Sequence, residues 1–293
     1  MDFIPFGGGH PAFKIGLKPL AVENWIHVDD QLSRYLGEKE RLYTKHPELV
    51  FLAKEDSLCG QQEVLDLLAD HLPRTFPDSY RRDDGKMLVT GREVDLETTA
   101  PPLLTAARLV QEDLLLMRWS EQGWYLAAGS LCFPSSWSLQ EKFGNPLHII
   151  HKPVPQFGSG SRNAVLIERI FDNLQVEQPV WRMNWSIYDD DDLYHPTRHT
   201  EGFRQGGDAL AKFIRVEYQT LRKLPVSGDI LFTVRILINP LEHIAELSDC
   251  RGICEGFIRL LLALDAEQLA YKGLTDGRDQ LVERLGEMAA GNG

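Results

Sequence analysis

From Gly123 onward the chain is cut into short apolar runs, GWYLAAGSLCFP, PLHIIHKPVP, VWRMNWSIYD, LYHP and the long VSGDILFTVRILINPL, each bounded by Gly, Pro, Asn or Ser. Runs of this length between turn residues are strand signals, and their spacing fits an antiparallel sheet better than alternating βαβ units. Between two of them RNAVLIERIFDNLQ reads as a helix packed on that sheet, and FIRVEYQTLRKLP as a helix or extended segment leading into the last strands. The first third has a different period. Trp25, Leu32, Tyr35, Leu36 and Leu42 fall close to one helical face before Pro47, and Val64, Leu65, Leu67, Leu68 and Leu72 fall on another before Pro73. PPLLTAARLVQEDLLLMRW reads as helix at least as far as Asp113, and the tail from Leu241 to Met288 returns to helix. The expected architecture is α+β: one domain over residues 1–293, mainly helical over 1–118, sheet-rich over 119–240 and helical over 241–293.

Acidic side chains number 43 against 31 basic, a net charge of −12, and the pI is about 5.2. Such a chain is repelled by a phosphate backbone or an anionic bilayer, so neither nucleic acid nor membrane is expected as a partner. No stretch approaches the roughly 20 apolar residues of a membrane span, and the first twenty residues lack a basic segment followed by an apolar one, which points to a cytoplasmic protein. Cys59, Cys132, Cys250 and Cys254 are too few and too scattered for a disulfide framework. Cys250 and Cys254 lie one helical turn apart, where zinc would need two further ligands that the sequence does not place nearby; helix packing explains them better. There is no G-x-G-x-x-G, no P-loop and no iron–sulfur spacing of cysteines, so any reducing equivalents must come from elsewhere.

At residues 131–155, LCFPSSWSLQEKFGNPLHIIHKPVP resembles the heme-dependent oxidative N-demethylase-like family. FKIGLKPL, ARLVQEDLLLM, WRMNWSI, RVEYQTLRKLPVSGDILFTVR and YKGL follow in family order, so the resemblance runs over nearly the whole chain; Tyr218 stands where the family tends to carry a second basic residue. The resemblance implies a PAS-like antiparallel sheet holding heme b. It also implies oxidative removal of a methyl group from a small secondary amine, with oxygen, release of formaldehyde, and electrons from a separate flavin/iron–sulfur reductase. Two other readings belong to different classes: a PAS-type heme or ligand module that senses a gas or redox state without turnover, and a chain without heme that acts in assembly.

Imidazole is the commonest axial donor for heme oxygen chemistry. His151, between an apolar run and two nearby prolines, is the first candidate for the iron; the bland alternative is a structural histidine bonded to a backbone carbonyl. If LHIIH is a strand, His148 and His151 face opposite ways, and only one can look into a given pocket. His195 and His199 have i,i+4 spacing, but Pro196 and polar neighbours suggest a surface turn, and Asp189 to Asp192 read as a solvated turn without the alternation of a calcium loop. In VWRMNWSIY, Arg182 and Asn184 share one strand face and Trp181, Met183 and Trp185 the other. A buried Arg182 needs a carboxylate such as Glu217 or a heme propionate. Arg215, Glu217 and Gln219 share a face if their segment is extended. Glu217 is the candidate for holding a cationic amine, or else forms surface ion pairs with neighbouring arginines; Trp185 and Arg215 join His151 and Arg182 as candidate cofactor contacts. Ser135 looks like the N-cap of a helix that ends at Gly144.

Overall fold

A seven-stranded antiparallel sheet organises the computed structural model, which describes residues 15–158, 160–197 and 212–291. In chain order the elements begin with β1 (Lys18–Pro19), α1 (Leu32–Lys45), α2 (Pro47–Val50), β2 (Phe51–Ala53) and α3 (Leu58–Thr75). Then come β3 (Tyr80–Asp83), β4 (Lys86–Val89), β5 (Arg92–Asp95), α4 (Pro102–Ala107), β6 (Asp113–Ser120) and β7 (Gly123–Ser130). These are followed by α5 (Leu139–Lys142), α6 (Leu147–Ile150), α7 (Arg162–Asn173), β8 (Val180–Tyr188), β9 (Phe213–Lys223) and β10 (Ile230–Pro240). The chain closes with α8 (Cys250–Leu262), α9 (Ala266–Lys272) and α10 (Arg278–Gly291).

The sheet order is β1-β8-β9-β10-β6-β7-β2, with β3, β4 and β5 in a separate small sheet. β9 and β10 pair along their whole length, and the pairing of Asn184 with Glu217 and of Glu217 with Ile236 puts these side chains on one face. That face packs Leu115, Met117, Leu221, Val234 and Ile236 against Phe133, α1 and α7. The opposite face is covered in two parts. Leu114, Leu116 and Leu231 pack under α3 and α4, while Trp185, Ile214 and Val216 pack under α8 and α10.

The α+β class and its sheet core with flanking helices agree with the sequence reading, but several segments differ. α4 stops at Ala107, and Asp113–Ser120, read in part as helix, is the strand β6. Leu114, Leu115, Leu116 and Met117 are all buried because β6 lies between β7 and β10 with both faces covered, so the run shows no alternation to betray a strand. Pro73 does not end α3, which continues to Thr75; a proline in the last turn removes only one ladder bond. The small sheet at 80–95 turns at Asp84–Gly85 and Thr90–Gly91, where all four residues have positive φ. Asp-Gly is a hairpin signal, but exposed charged residues around it hide the strands. LHIIH is the short helix α6 rather than a strand, because Pro146 starts a turn and the Ile150 and His151 amides bond back to Pro146 and Leu147.

Gly129 fixes how the site is closed. A Cβ there would lie 2.8 Å from Leu139 Cδ1 and 2.9 Å from Leu115 Cδ2, so the glycine lets Leu139 of α5 settle closely onto β7. Behind α5, Gly144 takes φ +73° and turns the chain into α6, as the sequence suggests.

Candidate functional site

A cavity of about 510 Å³ lies on the face of Glu217, between the sheet, the 131–137 segment, α6 and α7. Leu115, Met117, Leu126, Phe133, Leu147, Phe157, Ile167 and Phe171 make most of its wall apolar. This volume falls within the roughly 300–1,000 Å³ of small-molecule and cofactor sites. β1 pairs with β8 only at Val180 and Trp181, and beyond them no described strand pairs with this edge of β8; the cavity lining continues round it to Trp185 and to Lys272 of α9.

His151 follows α6 at the cavity wall. Its Nδ1 lies 2.9 Å from the carbonyl oxygen of Leu147. A carbonyl only accepts, so Nδ1 carries the proton and Nε2 keeps its lone pair. Burial holds the imidazole below its usual pKa, and Arg182 and Lys142 push it the same way against the Leu147 bond, so the ring is neutral and able to ligate a metal. Phe157 stacks on it at 6.1 Å between ring centroids. His148, three positions earlier in α6, is not in the lining, so of the two only His151 reaches the cavity.

Glu217 is buried and is the only carboxylate in the lining among the described residues. Its Oε2 accepts from Asn184 Nδ2 at 3.1 Å and Gln219 Nε2 at 2.7 Å, while no hydrogen bond among the described residues uses Oε1. The segment carrying it is extended, so Glu217 and Gln219 share a face as the alternation suggests. Arg182 pairs in register with Gln219 and also lines the cavity. It has no carboxylate within ion-pair distance among the described residues, its buried Nε has no hydrogen-bond partner, and burial lowers its pKa against the field of Glu217. A buried guanidinium nitrogen left this way calls for an anion.

Sequence reasoning missed Lys272. Its Nζ donates to the Trp185 carbonyl at 2.6 Å, on that edge of β8, and sits 4.2 Å from the centre of the Trp185 ring. Burial pulls its pKa down to about 8, with Glu217 opposing and Arg182 reinforcing the shift. The capping box of Asp265 and Gln268 at one end of α9 and the left-handed Gly273 at the other hold this lysine in place. The YKGL tract carried the signal, since a Gly immediately after a Lys marks a helix end. Lys142, also in the lining, donates to the Ile150 carbonyl at 2.8 Å and so ties α5 to the residue before His151.

The remaining candidates lie elsewhere. Trp185 belongs to the opposite face, where its ring meets Phe257 edge-on at 5.1 Å, and it reaches the cavity only round the β8 edge. Arg215 is fully buried outside the lining, its guanidinium taken up by Ser135 Oγ and by the carbonyls of Phe133, Pro134, Asp192 and Leu193. Ser135 therefore serves Arg215 rather than capping α5, whose N-cap is Ser138. His195 is not on the surface: it is buried, 4.4 Å from the Tyr188 ring, with Nε2 at 3.1 Å from Asp190 Oδ1. His199 lies outside the described residues. The acidic run is more than a solvated turn, since Asp189 binds Lys212 and Asp191 binds Arg34. Cys250 and Cys254 are buried on α8 with sulfurs 4.0 Å apart.

Two properties bear on a heme. Among the described residues four cationic side chains, Lys18, Lys142, Arg182 and Lys272, line the cavity against one carboxylate, an inversion of the chain's overall sign that suits a cofactor with two propionates. Among the described residues no group of three or more His, Cys, Asp or Glu side chains could hold a bare metal ion. A porphyrin supplies four nitrogens of its own and needs only one such imidazole, so the residues present fit a heme. The comparison with known families agrees: residues 16–282 match the family described as Haem-dependent oxidative N-demethylase, alpha subunit-like, and the chain belongs to it. No helix among the described residues is long and apolar enough to cross a membrane.

Proposed function

We propose that this chain is the heme-carrying component of an oxidative N-demethylase acting on a small secondary amine. The observation that carries the reading is His151, whose Nδ1 is occupied by the Leu147 carbonyl and whose Nε2 is left for iron, in a cavity lined by the half-buried Arg182, whose buried Nε has no hydrogen-bond partner among the described residues. When bound, heme b supplies the oxygen-activating chemistry: the methyl carbon leaves as formaldehyde with one oxygen atom, the other becomes water, and two electrons and two protons are consumed. The residues of the chain do the rest. Arg182, with Lys272 behind it, provides positive charge for the propionates, and the apolar wall of Leu115, Met117, Phe133 and Phe171 excludes water. Small alkylamines are cations near neutral pH, while oxidation next to nitrogen is easier from the free base. Oε1 of Glu217 would hold the ammonium and accept its proton, a role supported by the Asn184 and Gln219 amides, which keep Oε2 fixed. Trp185 borders the site, and Arg215 acts on it indirectly by tying down the loops at 133–135 and 192–193. Electrons come from a separate flavin/iron–sulfur reductase.

The test is reconstitution with hemin, followed by assay for formaldehyde from a panel of small methylamines with oxygen, NADPH and a reductase. A Soret band with formaldehyde release supports the reading. A heme-loaded protein that binds carbon monoxide or nitric oxide but releases no formaldehyde would be a sensor, and a protein that takes up no heme would belong to neither class.

A further inference from the structure

The cavity wall at 131–137 belongs to no helix or strand, so its peptide groups must be bonded from outside. Phe133, 1% exposed, lines the cavity and meets the Tyr35 ring edge-on at 5.2 Å. Two charged side chains of opposite sign hold its peptides. Arg215 donates to the carbonyls of Phe133 and Pro134 at 2.8 and 3.2 Å. Asp113, fully buried at the start of β6, accepts from the Cys132 amide at 2.7 Å through Oδ1 and from the Phe133 amide at 2.8 Å through Oδ2. Each carboxylate oxygen thus faces an N–H. A proton on either oxygen leaves it a poor acceptor and adds a donor that needs a partner of its own, so only the ionised group satisfies both amides in full.

The titratable and charged groups around Asp113 are Lys39 and Tyr43 of α1, Glu112 beside it in the chain, Cys132, Arg215 of β9 and, next to Lys39 and Glu112, Arg235 of β10. Lys39 spends its three N–H groups on the carbonyls of Ala107, Val110 and Glu112, and so acts on Asp113 by charge alone. Burial pushes the Asp113 carboxyl up to about 6, against Lys39, the two amides and Arg215. This lies above the ordinary 3.8, so the proton binds the folded chain more tightly than the unfolded one; protonating Asp113 therefore does not unfold the chain, and what it undoes is the local clamp.

We propose that Asp113 is a positioning residue for the cavity, a clamp that holds the Phe133 wall closed while ionised and lets it loosen on taking up a proton. The clamp stands on the chain's own hydrogen bonds; only its consequence for a porphyrin rests on the heme reading above.

The direct measurement is hydrogen exchange of the Cys132 and Phe133 amides in the full chain from pH 5 to 7.5, resolved by fragmentation mass spectrometry and corrected for the intrinsic rate at each pH. In wild type their protection should fall at least ten-fold from pH 7.5 to 5, with a midpoint near the Asp113 value of about 6. The Leu131 amide, bonded to the Val50 carbonyl at 2.8 Å, should keep its protection. Asp113→Asn, neutral at every pH, should show low protection throughout and no midpoint. Glu112→Gln and His195→Gln, which replace the other titratable side chains next to this wall, should keep the midpoint. The second measurement uses metal-free protoporphyrin IX, which offers no iron to His151. Its loss to albumin, followed by fluorescence, should speed up at least ten-fold from pH 7.5 to 5 in wild type and be fast and flat in Asp113→Asn. Wild-type protection that does not change with pH overturns the proposal, whether or not Asp113→Asn folds. So does an Asp113→Asn chain protected like wild type at pH 7.5, or a midpoint that vanishes in Glu112→Gln or His195→Gln. Porphyrin that leaves at one rate across this range while the amides respond would overturn the role at the cavity. A chain that takes up no porphyrin at any pH counts against the heme reading, and the exchange data still decide the clamp.

Discussion

Replacing Arg215 tests whether the loops around the cavity are fastened as described. The side chain is 1% exposed and makes five hydrogen bonds of 2.8–3.2 Å, one to Ser135 Oγ and four to main-chain carbonyls at 133, 134, 192 and 193. These carbonyls come from two segments some sixty residues apart in sequence, and among the described residues no other side chain donates to them as a group. In Arg215→Met the apolar stem is retained and the donors vanish, leaving four carbonyls to find water or remain unpaired. At about 1 kcal/mol or more for each unsatisfied buried group the loss is about 4 kcal/mol, close to the roughly 3–5 kcal/mol measured when one partner of a buried charged set is removed. For a chain of this size that is about 10 °C in Tm. Arg215→Lys should recover less than half of it, because an ammonium cannot span the carbonyls of both segments as a planar fork does. Urea unfolding followed by circular dichroism gives the number, with the m-value checked for constancy. A loss below about 1 kcal/mol in Arg215→Met would refute the argument, since desolvating the guanidinium would then offset its bonds entirely.

Further outcomes follow from the same geometry. His151→Ala should lower heme uptake and change the Soret spectrum, while His148→Ala leaves both intact; an unchanged spectrum in His151→Ala would transfer the ligand role elsewhere. Glu217→Gln should retain heme and fold but lose ten-fold or more in formaldehyde release, with the deficit in kcat/KM tested across pH. Lys272 has a folded pKa pulled down to about 8, below the unfolded value near 10.5, so between these pH values the unfolded chain binds more of its proton and stability rises with pH. The difference in urea midpoint between wild type and Lys272→Met should therefore shift in favour of wild type from pH 7.5 to 10; an unchanged difference would mean that the amine is solvated. Gly129→Ala should destabilise by about 1–3 kcal/mol, the usual cost of overpacking, because its Cβ would fall within 3 Å of Leu139 and Leu115.

Much of the fold was legible in local patterns. VWRMNWSIY alternates strictly, so the shared face of Arg182 and Asn184 follows from strand geometry alone, and RNAVLIERIFDN has the period of α7. The antiparallel class followed from turn residues between short runs. The family resemblance rested on specific tracts, and His151 stood out through its prolines. Where burial is two-sided, the pattern disappears: Leu114–Met117 carry no periodicity because β6 is covered on both faces by elements far away in sequence. The hydrogen bonds that decide roles are just as distant. Arg215 and Arg182 look alike in sequence, both on strands and both on the Glu217 face, yet one is spent on carbonyls more than twenty or eighty residues away and the other is left with an unpaired nitrogen in a cavity. Lys272 reaches Trp185 across 87 positions, round a sheet edge that no described strand covers beyond the two residues of β1. Local sequence sets periodicity, turns and caps, because these depend on neighbouring residues. Which charged side chain is satisfied and which faces the cavity depends on partners that only the assembled sheet brings within reach.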